Sequence, residues 1–236
     1  MMSTKSVKSA TTKKLRSGTR NPTSPERVRA ILDALRKAYP DVVCALNHSN
    51  AWELTVATIL SAQCTDVRVN LVTPKLFKMF STPRAMAAAS LPELEGLIRT
   101  TGFFRNKAKS IQGAARVVTE KFGGKVPERM EEILTLPGVA RKTGNVVLGS
   151  WYGIAVGVVV DTHVMRLSRR LELTKETSPE KVEQDLMRII PQKRWIAFSH
   201  ELIHHGRQVC VARKPRCADC TLEKLCNSTD KTWHSH

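Results

Sequence analysis

The chain has 236 residues, 42% hydrophobic and 25% charged, which excludes a wholly disordered or collagen-like polypeptide and leaves room for one large domain or two small ones. Its longest run of aliphatic residues and glycine, Gly153 to Val160, is eight long, well short of the ~20 residues of a membrane-crossing helix. Thirty-eight Lys and Arg against twenty-one Asp and Glu leave a net charge of +17, which points to a polyanionic partner, first of all nucleic acid.

Residues 1–24 carry Lys5, Lys8, Lys13, Lys14, Arg16 and Arg20, no acid and almost no large apolar group. Such a tail cannot bury enough surface to offset its ordering entropy and is predicted to be disordered. It suits an electrostatic arm on DNA and shares its composition with organelle transit peptides, but reads first as a plain solvated tail. No apolar signal segment is visible, so a cytoplasmic, bacterial-type location is expected.

Order begins at Ser24-Pro25-Glu26, a serine cap and a first-turn proline, followed by Val28, Ile31, Leu32 and Leu35 at helical spacing. Tyr39-Pro40 ends that helix. The grammar repeats with Asn50 before Trp52, Val56, Ile59 and Leu60, with Thr82-Pro83 and Ser90-Leu91-Pro92, and with Asn106 before Ala108, Ile111, Ala115 and Val118. Further on, Ser178-Pro179-Glu180 precedes Val182, Leu186 and Ile189, and a helix from about Gln192 is predicted to stop at Gly206 as its C′ glycine. Only Ile154–Val160 reads as a strand. One strand cannot form a sheet, so it is taken as a buried extended connector in an all-α fold.

Three stretches carry chemistry. Leu136-Pro137-Gly138-Val139-Ala140-Arg141-Lys142-Thr143 places a tight turn between two apolar helical stretches. Gly138 lets the backbone approach a phosphate, and free N–H groups at the next helix start, from Ala140 through Thr143, point at the anion. This is helix-hairpin-helix geometry, with Arg141 adding charge. Lys142 is either a phosphate-binding cation or a nucleophile. For the second role its amine must be unprotonated, which the adjacent Arg141, the positive helix end and an apolar surround would favour. In Val160-Asp161-Thr162-His163, Asp161 reads as the N-cap of a helix bearing Val164, Leu167 and Leu171. A carboxylate there would also steady a cation developing near Lys142 and help shuttle protons.

The third is a cysteine cluster. Cys210, Cys217, Cys220 and Cys226 read C-x6-C-x2-C-x5-C. Structural zinc usually brings two C-x2-C pairs or mixes in histidine, so the single pair and compact spacing favour [4Fe–4S] over zinc. The first gap projects Arg213, Lys214 and Arg216, a loop suited to DNA. Cys44 and Cys64 read as small buried hydrophobes, and the histidines as surface or core fillers.

Taken in order, Ser61-Ala62-Gln63-Cys64-Thr65-Asp66, the Leu136–Thr143 hairpin, Val160-Asp161-Thr162-His163, His205-Gly206-Arg207 and the cysteine spacing resemble the endonuclease III family of DNA glycosylases over nearly all of residues 25–226. The resemblance implies two helical lobes with duplex DNA in the cleft between them. One is a six-helix barrel at 44–155. The other joins 25–43 to 156–226, carries the [4Fe–4S] cluster on the four cysteines, and is followed by a tail at 227–236. It further implies a monomeric bifunctional enzyme that excises oxidised pyrimidines through a Lys142 Schiff base and cuts 3′ to the abasic site by β-elimination, with Asp161 as the essential carboxylate. Gln63 matches the residue that fills the hole left by the extruded base. Phe103 stands where the family places an apolar wedge, which replaces lost stacking. Ala140 departs from a frequent second hairpin glycine but keeps its N–H. Two other readings are a monofunctional adenine-type glycosylase, disfavoured by the presence of Lys142, and a non-catalytic DNA-binding module with a metal-stabilised loop.

Overall fold

The computed structural model describes residues 21–233, which form eleven α-helices and short 3-10 turns with no strand among the described residues. The basic tail over 1–20 lies outside them. The helix starts follow the local chemistry. In α1 (Pro25–Ala38) Ser24 Oγ accepts from Arg27 N, and Val28, Ile31, Leu32 and Leu35 form the buried stripe. The next helix, α2 (Ala51–Leu60), is capped by Asn50 and buried almost all round, so it runs through a core rather than over one. Residues Asp66–Met79 form α3, which the apolar spacing does not predict. Pro74 breaks the helical pattern, yet Thr65 caps the start, and Val69, Thr73 and Leu76 are buried. Two short helices, α4 (Pro83–Ala88) and α5 (Leu91–Ile98), start at Thr82 and at a Ser90/Glu93 capping box and pack on α6 (Phe104–Lys121).

The start of α6 corrects the expectation placed on Asn106. The helix begins three residues earlier than a cap at Asn106 would place it, and its N-cap is Phe103, with no side-chain cap. After α7 (Met130–Ile133) and α8 (Arg141–Ser150), the Ile154–Val160 segment is a connector without a strand, as expected, but it bends at Val156–Gly157 and is buried only from Gly157 on. Its alternation has a physical origin. Val159 joins one buried cluster while Val158 and Val160 join the other. Its backbone is satisfied by side chains instead of a neighbouring strand: Val159 N donates to Ser199 Oγ at 3.0 Å, and Asn145 Nδ2 donates to Val158 O at 3.5 Å.

The chain continues through α9 (Thr162–Arg170), α10 (Pro179–Ile189) and α11 (Trp195–Gln208). Gly206 does not end α11. It lies inside the helix, where an added Cβ would sit 2.9 Å from His163 Cβ, so glycine is there to admit α9. The buried apolar residues divide into two clusters. One is built on α2, α6 and α8, the other on α1, α9, α10 and α11 together with Leu222. No helix among the described residues is long and apolar enough to cross a membrane.

Candidate active site

Gly138 has φ +78°, and an added Cβ would lie 2.6 Å from Ser110 Cβ, so both conformation and space demand glycine. The turn delivers the chain to Ala140, the N-cap of α8, which has no side-chain capping bond. The first amides of α8 are therefore turned outward without a local acceptor, at the positive end of a helix dipole. The Thr143 side chain is buried, whereas Gly138, Ala140, Arg141 and Lys142 are exposed. Arg141 is drawn back: its Nε donates to Glu183 Oε2 at 2.8 Å, and Glu183 Oε1 accepts from Asn145 Nδ2 at 2.8 Å. The Glu183 bond, the largest influence, holds the guanidinium above its ordinary value. The apolar surround expected at Lys142 is absent, because Lys142 is exposed, and the neighbouring Arg141 is paired with Glu183.

Asp161 is the N-cap of α9. Its Oδ1 accepts from both His163 N and Val164 N at 2.8 Å, while Oδ2 takes no hydrogen bond among the described residues. Capping thus uses one oxygen and leaves the other for different work. Lys142 and Asp161, from separate helix starts, line the same cleft, together with Ser61, Gln63, Asp66 and Arg207. Asp66 Oδ2 accepts from Arg207 Nη2 at 2.7 Å, joining α3 to α11 beside the two. His200 lines the adjoining recess; burial, reinforced by Arg207, pushes it below the ordinary histidine value.

Gln63 and Phe103 are both exposed and both left-handed, with φ 51° and 48°. Phe103 is 65% exposed, an aromatic residue that the protein leaves largely uncovered. Arg213 and Lys214 are exposed on the cysteine loop, Lys214 with φ 53°, while Arg216 is paired to Asp219 at 2.9 Å. Sequence reasoning assigned no role to Glu183, Asn145, Asp66 or Arg207, although Asp66 and Arg207 stand in the motifs that carry the resemblance. Their types signal nothing by themselves, since each acts through a partner far away in the chain.

The four cysteines Cys210, Cys217, Cys220 and Cys226 line one small cavity. Three sulfurs face nitrogen groups: Arg170 Nη1 at 3.2 Å from Cys210, Thr232 N at 3.4 Å from Cys217, and His205 Nε2 at 3.3 Å from Cys220. His205 is more than a core filler. Its Nδ1 lies 2.7 Å from the Tyr39 hydroxyl, and burial, with His204 adding, pushes its pKa down to about 4. The neutral ring, accepting from Tyr39 at Nδ1, presents its N–H to Cys220. Burial and the neighbouring cysteines raise Cys220 to about 11, and burial raises Cys210 despite Arg170. Half-buried sulfurs so crowded suit a cationic iron core faced by N–H donors. Among the described residues no three His, Cys, Asp or Glu side chains converge on a single ion. An iron–sulfur cluster does not ask for that, since it takes one thiolate at each of its irons. Cys44 and Cys64 are half-buried against the first core rather than enclosed in it.

An all-helical fold with a helix-hairpin-helix and a lysine–carboxylate cleft defines a class of protein. The family model for the HhH-GPD superfamily base excision DNA repair protein matches residues 56–192. The chain is 58% identical to endonuclease III of Synechocystis sp. over 203 residues, 86% of this chain and 93% of the relative. It is 43% identical to endonuclease III of Bacillus subtilis, over 87% of this chain and 94% of the relative. A solved structure of a trapped endonuclease III–DNA covalent intermediate superposes with a TM-score of 0.82 at 43% identity, covering 86% of this chain and 96% of that one. The chain belongs to the endonuclease III family.

Proposed function

We propose that the protein is a bifunctional DNA glycosylase and abasic-site lyase of base excision repair, acting on oxidised pyrimidines and abasic sites in duplex DNA. The observation that carries the reading is the shared cleft of Lys142 and Asp161, with the uncapped start of α8 and the exposed Gln63 and Phe103 also placed to meet DNA. The uncapped amides from Ala140 to Thr143 would grip a backbone phosphate, while the exposed side chains of Gln63 and Phe103 would fill and wedge the stack around the flipped nucleotide. Arg213, Lys214 and Arg216 would add phosphate contacts; Arg141, held by Glu183, would add charge more than direct grip.

In the chemical step, the Lys142 amine attacks C1′ of the flipped sugar and the base departs with the C1′–N bond electrons. The carboxylate of Asp161 steadies the positive charge on the sugar and assists the proton transfers. Loss of the C1′–O4′ bond gives an iminium between Lys142 and the opened sugar. Removal of a C2′ proton then expels the 3′ phosphate and cuts the strand.

Cys210, Cys217, Cys220 and Cys226 would hold a [4Fe–4S] cluster. When bound, the cluster would supply structural cross-linking of a loop too small to have its own core. We assign the first core to a lobe at 44–155 and the second to a lobe formed by 25–43 and 156–226.

Purified protein is expected to cleave duplexes bearing thymine glycol, 5-hydroxycytosine or an abasic site. Asp161→Asn should slow base release far more than it weakens binding. DNA binding without any strand cleavage would leave only a DNA-attachment module. Iron with acid-labile sulfide in the purified protein is expected, and zinc in its place would refute the cluster.

A further inference from the structure

Lys107, on the first turns of α6, lies outside the cleft and is 5% exposed. Among the described residues its ammonium has no carboxylate partner. Instead Nζ donates to Leu60 O at 2.8 Å and to Thr101 O at 2.7 Å. Burial lowers its pKa, the mark of a charge placed where water does not serve it. A lysine that merely packed would be replaced by methionine at a gain, so the two bonds account for its presence.

The two carbonyls belong to separate segments. Leu60 is the last residue of α2, and the chain reaches Gln63 three residues later. Thr101 closes the Arg99–Thr101 3-10 turn, and Phe103 follows two residues on. Both side chains stand on left-handed backbone that disfavours residues with a Cβ, and both are exposed. Such conformations persist only where the surroundings over-determine them. The single ammonium reaches the root of each loop.

We propose that Lys107 is a positioning residue that clamps the Gln63 and Phe103 loops to each other, fixing the separation at which the two side chains enter the base stack. This rests on the functional reading above. The clamp matters only where a stack must be opened and refilled. An abasic sugar in single-stranded DNA needs neither wedge nor filler.

The test compares single-turnover cleavage of an abasic site in a duplex and in the same strand alone, using the full-length, cluster-loaded protein. Lys107→Met is expected to lose about ten- to a hundredfold on the duplex, the scale of a small misplacement remote from the chemistry, while staying within about twofold on the single strand. Equal losses on both substrates, or no loss on the duplex, would overturn the proposal. A second measurement uses only exposed positions. Gln63→Ala and Phe103→Ala, singly and together, should show coupled losses on the duplex while Lys107 is intact; independent, additive losses would overturn the clamp even if Lys107→Met does not fold. Wild-type protein that cut neither substrate would instead fell the functional reading.

Discussion

Gly138 shows how much a single residue decides here. Its φ of +78° and the 2.6 Å approach of an added Cβ to Ser110 act together. Gly138→Ala should therefore cost about 1–3 kcal/mol of stability in denaturant melts and weaken duplex binding in parallel. A change under about 0.5 kcal/mol would contradict the assigned turn. His200 carries a pH signature. Burial, with Arg207 adding, places its folded pKa below the ordinary ~6.5 of the unfolded chain. As pH falls through that value the unfolded state takes the proton first. The stability His200 contributes is present above pH ~6.5 and is lost as pH falls toward the folded pKa. Guanidinium midpoints at about pH 7.5 and about pH 5.5 should differ less in His200→Gln than in the wild type. An equal fall would assign the acid sensitivity elsewhere.

At the scale of elements, the start of α8 is held from α10. Glu183 is buried, and it binds both Arg141 and Asn145. Beside it, Gly157 lets the connector pass, since an added Cβ there would fall 2.0 Å from Glu183 Oε1. Arg141 is substantially exposed, so its ion pair alone contributes little. The buried Asn145 amide loses the shorter of its two acceptor bonds, keeping only Val158 O at 3.5 Å, and this is the larger loss: Glu183→Ala should destabilise by about 1–3 kcal/mol, read from urea midpoints, with Glu183→Gln much milder. Equal effects of the two variants would deny that role to the hydrogen bond.

Most elements were legible because caps and apolar spacing are local. Ser24, Asn50, Thr82, Ser90 and Ser178 all cap the helices they predict. Where the reading failed, the cause was tertiary. Pro74 hid α3, whose buried face is supplied by its neighbours. Phe103 starts α6 from a left-handed backbone that no propensity suggests. Gly206 looked like a terminator and instead makes room for His163. The hairpin, Asp161 and the cysteine spacing could be read from residue type and order. Asp66 with Arg207, Glu183 with Asn145, and Lys107 with its two carbonyls could not, because each depends on partners brought together only by folding.

Across the whole molecule, two hydrophobic cores meet at the Val158–Val160 connector, and the Asp66–Arg207 pair lines the same cleft as Lys142 and Asp161. With +17 net charge the protein is built to meet a polyanion. The central claim is that the Lys142 nitrogen becomes covalently joined to the sugar. Borohydride reduction of the protein on a duplex abasic oligonucleotide, followed by peptide mapping of the adduct, reads that bond directly. The account predicts one stable adduct, located on Lys142 and abolished by Lys142→Gln. An adduct mapped to another residue, or one that survives Lys142→Gln undiminished, would contradict it.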